Sequence, residues 1–172
     1  RFYLPRVRHA GNVSLDEVRG RAKGYAGAPV AADGASLPLE IKGMEAIRSD
    51  WTRAASRLQR ELLALLFQDT TGEAIVEHVR QRIADLRAGG IDDELVYARR
   101  LRKPVASYTT TRPPHVQAAS LLPRDEQEGM IHYLITRAGP QPPSRRTAPI
   151  DHEHYLAKQL RPIAEPICEI VG

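Results

Sequence analysis

Apolar residues recur at helical spacing through much of this chain, and a short segment with a different pattern precedes them. The helical pattern covers residues 51–67 and continues over residues 75–86. Residues 1–8 instead alternate and are rich in β-forming side chains, with Pro5 where an edge or a bulge tolerates a missing N–H. The pattern predicts an α+β fold with a small antiparallel β piece first.

Three short strands are expected before the first helix. The strand over residues 1–8 ends at residues 11–12, Gly-Asn, and residues 23–28 form a returning strand. A hairpin-type turn at residues 32–34, Ala-Asp-Gly, leads into a third strand over residues 37–42. A piece of this size is too small to be stable alone.

Two amphipathic helices follow, and each has signals at its ends. Ser49 or Asp50 can cap the first helix. Thr70 and Glu73 have the spacing of a capping box for the second helix, which the glycines at residues 89–90 stop. Because the link is short, we expect the helices to pack as antiparallel neighbours.

The chain changes character after the second helix. Residues 94–103 are β-branched, aromatic and basic, which predicts a short helix or a strand. Prolines precede a helix predicted over residues 114–122. Residues 130–136 alternate as a strand does, and the proline-rich residues 138–147 are expected to form a loop.

The last predicted element is an amphipathic helix that begins at Asp151. Ile150 before this cap and Tyr155 after it have the spacing of a hydrophobic staple. Pro162 and Pro166 each remove a helical N–H, so we expect the helix to bend or break there.

Basic and acidic residues are segregated along the sequence. The formal net charge is +4 over 172 residues. Residues 1–27 carry six basic and two acidic side chains, and residues 95–115 carry five basic and no acidic ones. Residues 57–94 hold five basic and eight acidic ones. This segregation predicts one face that meets a polyanion and another that is solvated and acidic.

The sequence offers little for catalysis, metal binding or membrane insertion. Asp92 and Asp93 follow a helix stop, where acids cap or solvate a helix start. His152 and His154 are two apart, whereas ligands on one helical face need a spacing of three or four. We therefore expect no catalytic residue and no metal ligand. The lone Cys168 is expected to be a small buried hydrophobe, and the lack of a long apolar run fits a reduced, cytoplasmic protein.

Two Lys-Gly dipeptides, Lys23-Gly24 and Lys42-Gly43, stand where an extended segment ends or turns. In each dipeptide the lysine ammonium stands next to a glycine, whose backbone a ligand can approach closely. This arrangement is suited to binding a phosphate group. Two solvated lysines beside loop glycines would look the same, so the dipeptides alone leave both interpretations open.

The order and flanks of these dipeptides resemble the palm-to-thumb junction of family B DNA polymerases, the bacterial members above all. Lys23 and Tyr25 match the family's lysine-x-tyrosine motif. The resemblance implies that the lysine reaches the minor-groove side of the primer end and that the tyrosine contacts a backbone phosphate. Relatives often carry basic residues where this chain has Ala22 and Gly24, which implies a weaker attraction for phosphate there.

The segment from Lys42 to Trp51 resembles the family's K-G-x-E-x-x-R-x-D-W sequence, which leads from palm into thumb. By this resemblance Lys42 and Arg48 are candidates for contacts with DNA phosphates. Glu45, Asp50 and Trp51 fit structural roles equally well, as an ion pair, a helix cap and a core anchor.

Residues 97–116 resemble the thumb strand and helix that face the nascent duplex in this family. The candidate DNA contacts in this stretch are Arg99, Arg102, Lys103, Tyr108 and His115. Residues 151–163 resemble the last thumb helix, whose role is mainly packing.

The resemblance implies a two-part organisation, with the carboxy-terminal β part of the palm at residues 1–43 and a mostly α-helical thumb at residues 44–172. It implies a carboxy-terminal piece of a DNA-directed DNA polymerase that binds primer–template duplex through its backbone, as a monomer. Mg²⁺-dependent addition of deoxynucleotides would take place elsewhere in the parent enzyme. The piece alone is therefore expected to hold no cofactor and to be inactive.

Two other classes of function remain open at this point. A free-standing basic α+β module could bind nucleic acid without belonging to a polymerase. An interaction domain could instead dock an acidic protein on its basic face.

Overall fold

The structure is a computed structural model, and it describes residues 2–4, 9–11, 24–28, 30–35, 38–42, 44 and 51–172. Several features of the sequence predictions lie outside these residues. They include Pro5, Asn12, Glu45 and the expected helix caps Ser49 and Asp50.

The first sheet consists of four short antiparallel strands. They are β1 (Phe2–Leu4), β2 (His9–Gly11), β3 (Tyr25–Gly27) and β4 (Glu40–Lys42). Their order in the sheet is β2-β1-β3-β4. The prediction that one strand over residues 1–8 ends at Gly11 is wrong, because Gly11 pairs with Phe2 in a strand of its own. A glycine still has a backbone N–H and C=O that can join a ladder.

The predicted turn between β3 and β4 is confirmed. The backbone N–H of Gly34 donates to the carbonyl of Ala31 at 2.9 Å. The carboxylate of Asp33 accepts from the N–H of Ala35 at 3.0 Å. Gly34 has a φ of 85°, a left-handed conformation in which a residue with a Cβ is strained. Strand β4 is shorter than the predicted strand over residues 37–42.

Helix α1 (Arg53–Phe67) begins later than the sequence predicts. Thr52 caps it, and its side-chain oxygen accepts from the N–H of Ala55 at 3.4 Å. Thr52 is held in turn by Gln159, whose Oε1 accepts from the N–H and the hydroxyl of Thr52 at 2.9 and 2.8 Å. The prediction of a cap at residue 49 or 50 is wrong, since this distant partner selects Thr52 among several residues able to cap.

Helix α2 (Gly72–Arg87) also begins one residue later than predicted. Its cap is Thr71, whose side chain accepts an N–H of the first turn at 3.2 Å. Thr70 is not the cap, and its backbone N–H instead donates to the carbonyl of Leu65 in the turn that ends α1. The predicted stop is confirmed, and Gly89 has a φ of 79° just after the helix. Helices α1 and α2 contact each other.

A second antiparallel sheet lies within the part that was predicted to be mostly helical. Its strands are β5 (Tyr97–Arg100), β6 (Met130–Thr136) and β7 (Gly139–Gln141), with β6 in the centre. The strand predicted over residues 130–136 is confirmed. The loop predicted over residues 138–147 is wrong at its start, because Gly139 adopts a φ of 92° and lets the chain turn back into β7.

A short helix covers this second sheet. Helix α3 (Pro114–Ala119) packs on β6 and β7, and it starts at a proline as predicted. The α+β fold class is therefore confirmed, and the described part of residues 44–172 is mostly helical with a small three-stranded sheet.

The last helix is continuous although it contains two prolines. It consists of α4 (His152–Tyr155), a π turn (Leu156–Leu160) and α5 (Arg161–Val171). Asp151 caps it as predicted and accepts from the N–H of His154 at 3.2 Å. The expected bend or break at Pro162 and Pro166 is not a break, because the helix continues through both prolines. Pro162 stands in the first turn of α5, and the helix widens into a π turn directly before it.

A buried core joins the first sheet, the helices and the second sheet. Tyr3 and Ala26 of the first sheet belong to the same cluster as buried apolar residues of α1, α2, β6 and α5. Ile150 and Tyr155, the predicted staple, are both buried in it. Cys168 is only half-buried at its margin, so the prediction of a buried residue is correct in part. Within the ranges that the structure describes, no helix combines the length and the apolarity needed to span a membrane.

Candidate nucleic-acid interface

Near the first sheet, two of the predicted DNA contacts share a carboxylate. Lys23 and Arg48 lie outside the described residues. Tyr25 and Lys42 face each other across β3 and β4. The hydroxyl of Tyr25 donates to Oε1 of Glu40 at 2.7 Å, and the ammonium of Lys42 lies 3.4 Å from the same oxygen. Tyr25 is only 2% exposed, whereas Lys42 is exposed.

Strand β5 and the loop after it carry exposed cations, which we call the basic surface. Its members are Arg99, Arg100, Arg102, Lys103 and Arg112. None of them forms an ion pair with a carboxylate in the described part of the chain. A solvated cation without such a pair can turn toward a phosphate and form a charge-assisted hydrogen bond without first breaking another.

Three of the predicted contacts meet beside this surface. The ammonium of Lys103 lies 4.5 Å from the centre of the Tyr108 ring, a cation–π arrangement. The ring centres of Tyr108 and His115 are 6.5 Å apart at an interplanar angle of 86°. The charge of Arg99 also acts on His115. The structure thus brings Arg99, Lys103, Tyr108 and His115 together.

His115 occupies a different environment from the one that the sequence predicts. It is 5% exposed, and its Nδ1 has no hydrogen-bond partner among the described residues. Burial, followed by the charge of Arg99, lowers the pKa of His115, so the imidazole is neutral near pH 7. His115 shares a face of α3 with Ala118 and Ala119, which pack on the second sheet. It is therefore not an exposed cation.

The charges of α1 and α2 are paired with each other instead. Glu61 accepts from Nε of Arg82 at 3.0 Å and from a terminal nitrogen of Arg82 at 3.1 Å, and it lies 2.7 Å from Nε2 of His78. Arg57 lies 2.9 Å from the carboxylate of the buried Glu94. Burial alone would raise the pKa of Glu61, but the hydrogen bonds from Arg82 and His78 hold it below its ordinary value. Several charges of the two helices are thus neutralised within the protein.

A pocket of about 540 Å³ lies along β5, an outer strand of the second sheet, and we call it the strand-edge pocket. Its walls include Trp51, Tyr97, Arg99, Arg100, Arg102 and Tyr133. The rings of Tyr97 and Tyr133 are stacked, with centres 5.2 Å apart. Because successive residues of a strand point to opposite faces, Arg99 and Arg100 border the pocket from the two sides of β5.

The acidic and histidine residues singled out in the sequence make structural contacts. Oδ1 of Asp92 lies 2.7 Å from Nε2 of His152, and the hydroxyl of Tyr97 lies 3.1 Å from Nε2 of His154. The neighbouring Glu94 is buried. The described residues contain no group of three or more side chains that could hold a metal ion, and they provide no fitting site for Mg²⁺.

Sequence reasoning overlooked Arg100 and the aromatic walls of the strand-edge pocket. Part of this could have been predicted, because a strand over residues 97–100 would include both Arg99 and Arg100. That β5 is an outer strand, and that Trp51 lies beside it, follow only from the tertiary structure.

Comparisons with known proteins agree on one family. A family model described as DNA polymerase family B matches residues 21–170. DNA polymerase II of Escherichia coli (strain K12) is 37% identical over 181 residues, which cover 99% of this chain and 22% of that protein. DNA polymerase 2 of Aeropyrum pernix is 32% identical over 147 residues, which cover 78% of this chain and 18% of that protein.

A solved structure shows the same similarity at the level of the fold. The family B DNA polymerase from the archaeon Pyrobaculum calidifontis matches with a TM-score of 0.65 and 27% identity. The match covers 87% of this chain and 20% of that one. The chain thus spans about a fifth of the length of these relatives.

Proposed function

The chain belongs to DNA polymerase family B, and we propose that it forms the DNA-gripping part of such a polymerase. Residues 1–43 would belong to the palm and residues 44–172 to the thumb. The basic surface holds the sugar–phosphate backbone of primer–template duplex. The observation that carries this proposal is the group of exposed cations on β5 and the following loop that have no carboxylate partner among the described residues.

Individual residues have distinct parts in this grip. Arg99, Arg102 and Lys103 meet phosphates, because all three are exposed. Tyr108 orients Lys103 through its ring. Lys42 makes a separate contact beside the first sheet. Since contacts with phosphate position a protein on DNA without specifying sequence, no base preference is expected.

The proposal extends to the whole polymerase that this region serves. Its reaction would be DNA-directed DNA synthesis in a bacterial cytoplasm, by a monomer that binds deoxynucleotides and Mg²⁺ outside this chain. In that polymerase, the region formed by this chain would align the duplex. Lys23 and Tyr25 would lie near the primer end, and Tyr25 would have to release Glu40 before its hydroxyl could meet a phosphate.

A matched set of charge changes tests the grip. We expect the triple change of Arg99, Arg102 and Lys103 to Gln to weaken binding to a labelled blunt duplex. It should also reduce the slope of log affinity against log salt by up to about one for each lost contact. Fluorescence anisotropy over a salt titration measures both quantities.

Two controls separate a local grip from the effect of net charge. Changing Arg124, Arg145 and Arg146 to Gln removes the same charge from exposed positions elsewhere and should alter affinity little. Changing Glu73 and Glu77 to Gln on the exposed part of α2 should also have little effect. If the two arginine-containing sets lowered the affinity for duplex DNA equally, binding would depend only on net charge. The proposed surface would then be wrong.

A further inference from the structure

Strands β3 and β4 bring three polar side chains onto one face of the first sheet. Ala26 pairs with Ile41 between these strands, and both pack with the buried core. Because side chains alternate along a strand, Tyr25, Glu40 and Lys42 lie on the opposite face. That face therefore carries an acid, a cation and a phenol side by side.

The residue opposite Glu40 leaves it room to reach across the sheet. This ladder partner is Gly27, which has no side chain to fill the neighbouring position. Diagonal neighbours on adjacent strands lie roughly 7–8 Å apart, within reach of long side chains. Oε1 of Glu40 accepts from the hydroxyl of Tyr25 at 2.7 Å and lies 3.4 Å from the ammonium of Lys42. One anionic oxygen thus serves two donors.

Glu40 covers its two donors to different degrees. Tyr25 is 2% exposed, whereas the side chains of Glu40 and Lys42 are 25% and 60% exposed. A buried hydroxyl needs a hydrogen-bond partner, because leaving it unsatisfied costs the free energy of its desolvation. The carboxylate supplies this partner while it stays in contact with solvent. It can therefore leave only if another acceptor takes its place.

A phosphate oxygen meets the same requirement as the carboxylate oxygen. The phenol and the ammonium both donate, and both anions accept charge-assisted hydrogen bonds. Exchanging one anion for the other therefore keeps the number of hydrogen bonds the same. The main cost is the separation of a partly exposed ion pair between Glu40 and Lys42, and such pairs contribute little.

We propose that Glu40 stands in for a DNA phosphate. Without DNA its carboxylate holds the hydroxyl of Tyr25 and the ammonium of Lys42, and a phosphate of the duplex displaces it on binding. The inference rests on the proposed function and deepens it, since it assigns to the chain an internal competitor for its own grip. A contact that exchanges one anion for another is easily reversed, which suits a surface that the duplex must pass as synthesis lengthens it.

Removing the competitor should strengthen the grip. We expect Glu40→Gln to raise the affinity of the 172-residue chain for the labelled blunt duplex about two- to fivefold, the range that corresponds to an exposed ion pair. Glutamine keeps the length of the side chain and an oxygen that can accept from Tyr25, but it has no charge to hold Lys42. Fluorescence anisotropy measures the affinity, and circular dichroism confirms that each variant is folded.

Two further variants separate displacement from a simple loss of negative charge. Asp33→Asn removes the same charge from the turn between β3 and β4, and asparagine can still accept from the N–H of Ala35. It should raise affinity less than about 1.5-fold, because an exposed charge is screened by salt. The second variant adds Glu40→Gln to a chain that already carries Tyr25→Phe and Lys42→Gln. The gain should disappear there, because both of these donors are gone.

The possible outcomes separate this inference from the proposed function. The inference would be overturned by no gain from Glu40→Gln, by an equal gain from Asp33→Asn, or by a gain that persists in the Tyr25→Phe, Lys42→Gln chain. None of these results affects the grip at the basic surface, which the arginine and lysine changes described above test separately. Absence of duplex binding by both the unaltered chain and Glu40→Gln would contradict the proposed function and this inference together.

Discussion

Glu61 is the residue at which the charges of α1 and α2 converge. Its two oxygens contact Arg82 and His78, and Arg57 lies 3.6 Å away, one helical turn earlier in α1. Burial would raise its pKa, yet these hydrogen bonds and charges lower it overall. A carboxylate that is stabilised in this way contributes to folding only while it is ionised.

Replacing Glu61 by Gln should therefore destabilise the protein in a pH-dependent way. We expect a loss of about 1–2 kcal/mol in the free energy of unfolding at pH 7, because glutamine offers Arg82 and His78 one acceptor oxygen in place of two and lacks the negative charge that strengthens these hydrogen bonds. The pKa of Glu61 is lower in the folded than in the unfolded chain, so the stabilisation is present above the ordinary value of 4.5 and disappears as pH falls through the lowered value. Urea unfolding at several pH values measures the difference.

The exposed Glu128 provides the control for this experiment. Its replacement by Gln should change the free energy of unfolding by less than about 0.5 kcal/mol at every pH. A difference between Glu61→Gln and the unaltered chain that stays constant from neutral to acidic pH would show that the carboxylate's charge is not what stabilises the helices.

Individual side chains were predictable from sequence where solvent decides their position, and not where packing decides it. Arg99, Arg102 and Lys103 were expected to be exposed, and they are. His115 and Tyr25 were expected to offer polar atoms to DNA, and both are buried. Nothing in the local sequence reveals which face of a six-residue helix meets a sheet, or that a carboxylate on the neighbouring strand accepts from a tyrosine.

The helices and strands were predictable in type more often than in their boundaries. The strand over residues 130–136 and the helix stop at Gly89 follow from local patterns and were confirmed. The starts of α1 and α2 depend on which of several suitable residues acts as the cap. Gln159 selects Thr52 from a distant part of the chain, and the turn that ends α1 occupies Thr70.

The start of α2 depends on the absence of a side chain at Gly72. A Cβ added there would lie 2.5 Å from the carbonyl oxygen of Val171, at the end of α5. Gly72→Ala should therefore lower the free energy of unfolding by about 1–3 kcal/mol, although alanine is the better helix former. Thermal unfolding followed by circular dichroism measures the change.

Gly90 is the matched glycine for this test. A Cβ there would approach only the carbonyl of Asp85, at 3.4 Å, and its φ is not left-handed. Gly90→Ala should be neutral or stabilising by up to about 1 kcal/mol. If Gly72→Ala were equally well tolerated, α2 and α5 would not be in contact at this point.

The molecule is held together where the last helix meets the second sheet. The hydroxyl oxygen of Tyr155 accepts from the backbone N–H of Ile135 in β6 at 2.9 Å, while its ring stacks on Tyr97 of β5. Burial raises the pKa of Tyr155, so the hydroxyl stays neutral at physiological pH. Helices and sheet should therefore unfold as one unit.

Tyr155→Phe tests this cooperativity. It leaves the buried N–H of Ile135 without its acceptor, so we expect a loss of about 1–3 kcal/mol. Unfolding followed by Trp51 fluorescence and by far-ultraviolet circular dichroism should shift together to lower denaturant. Tyr108→Phe, at a half-exposed ring, should have little effect. Two separated transitions in either variant would show that sheet and helices are independent units.

The hydrogen bonds between Thr52 and Gln159 have a consequence for how the chain acquires its structure. They join residues 107 positions apart. At a synthesis rate of about 5–20 residues per second, roughly 5–20 s pass on the ribosome between the appearance of Thr52 and that of Gln159. Helix α1 can form during that interval, but its cap lacks the partner that holds it in the native state. The native arrangement at the start of α1 must therefore be completed late in folding, after a large loop has closed.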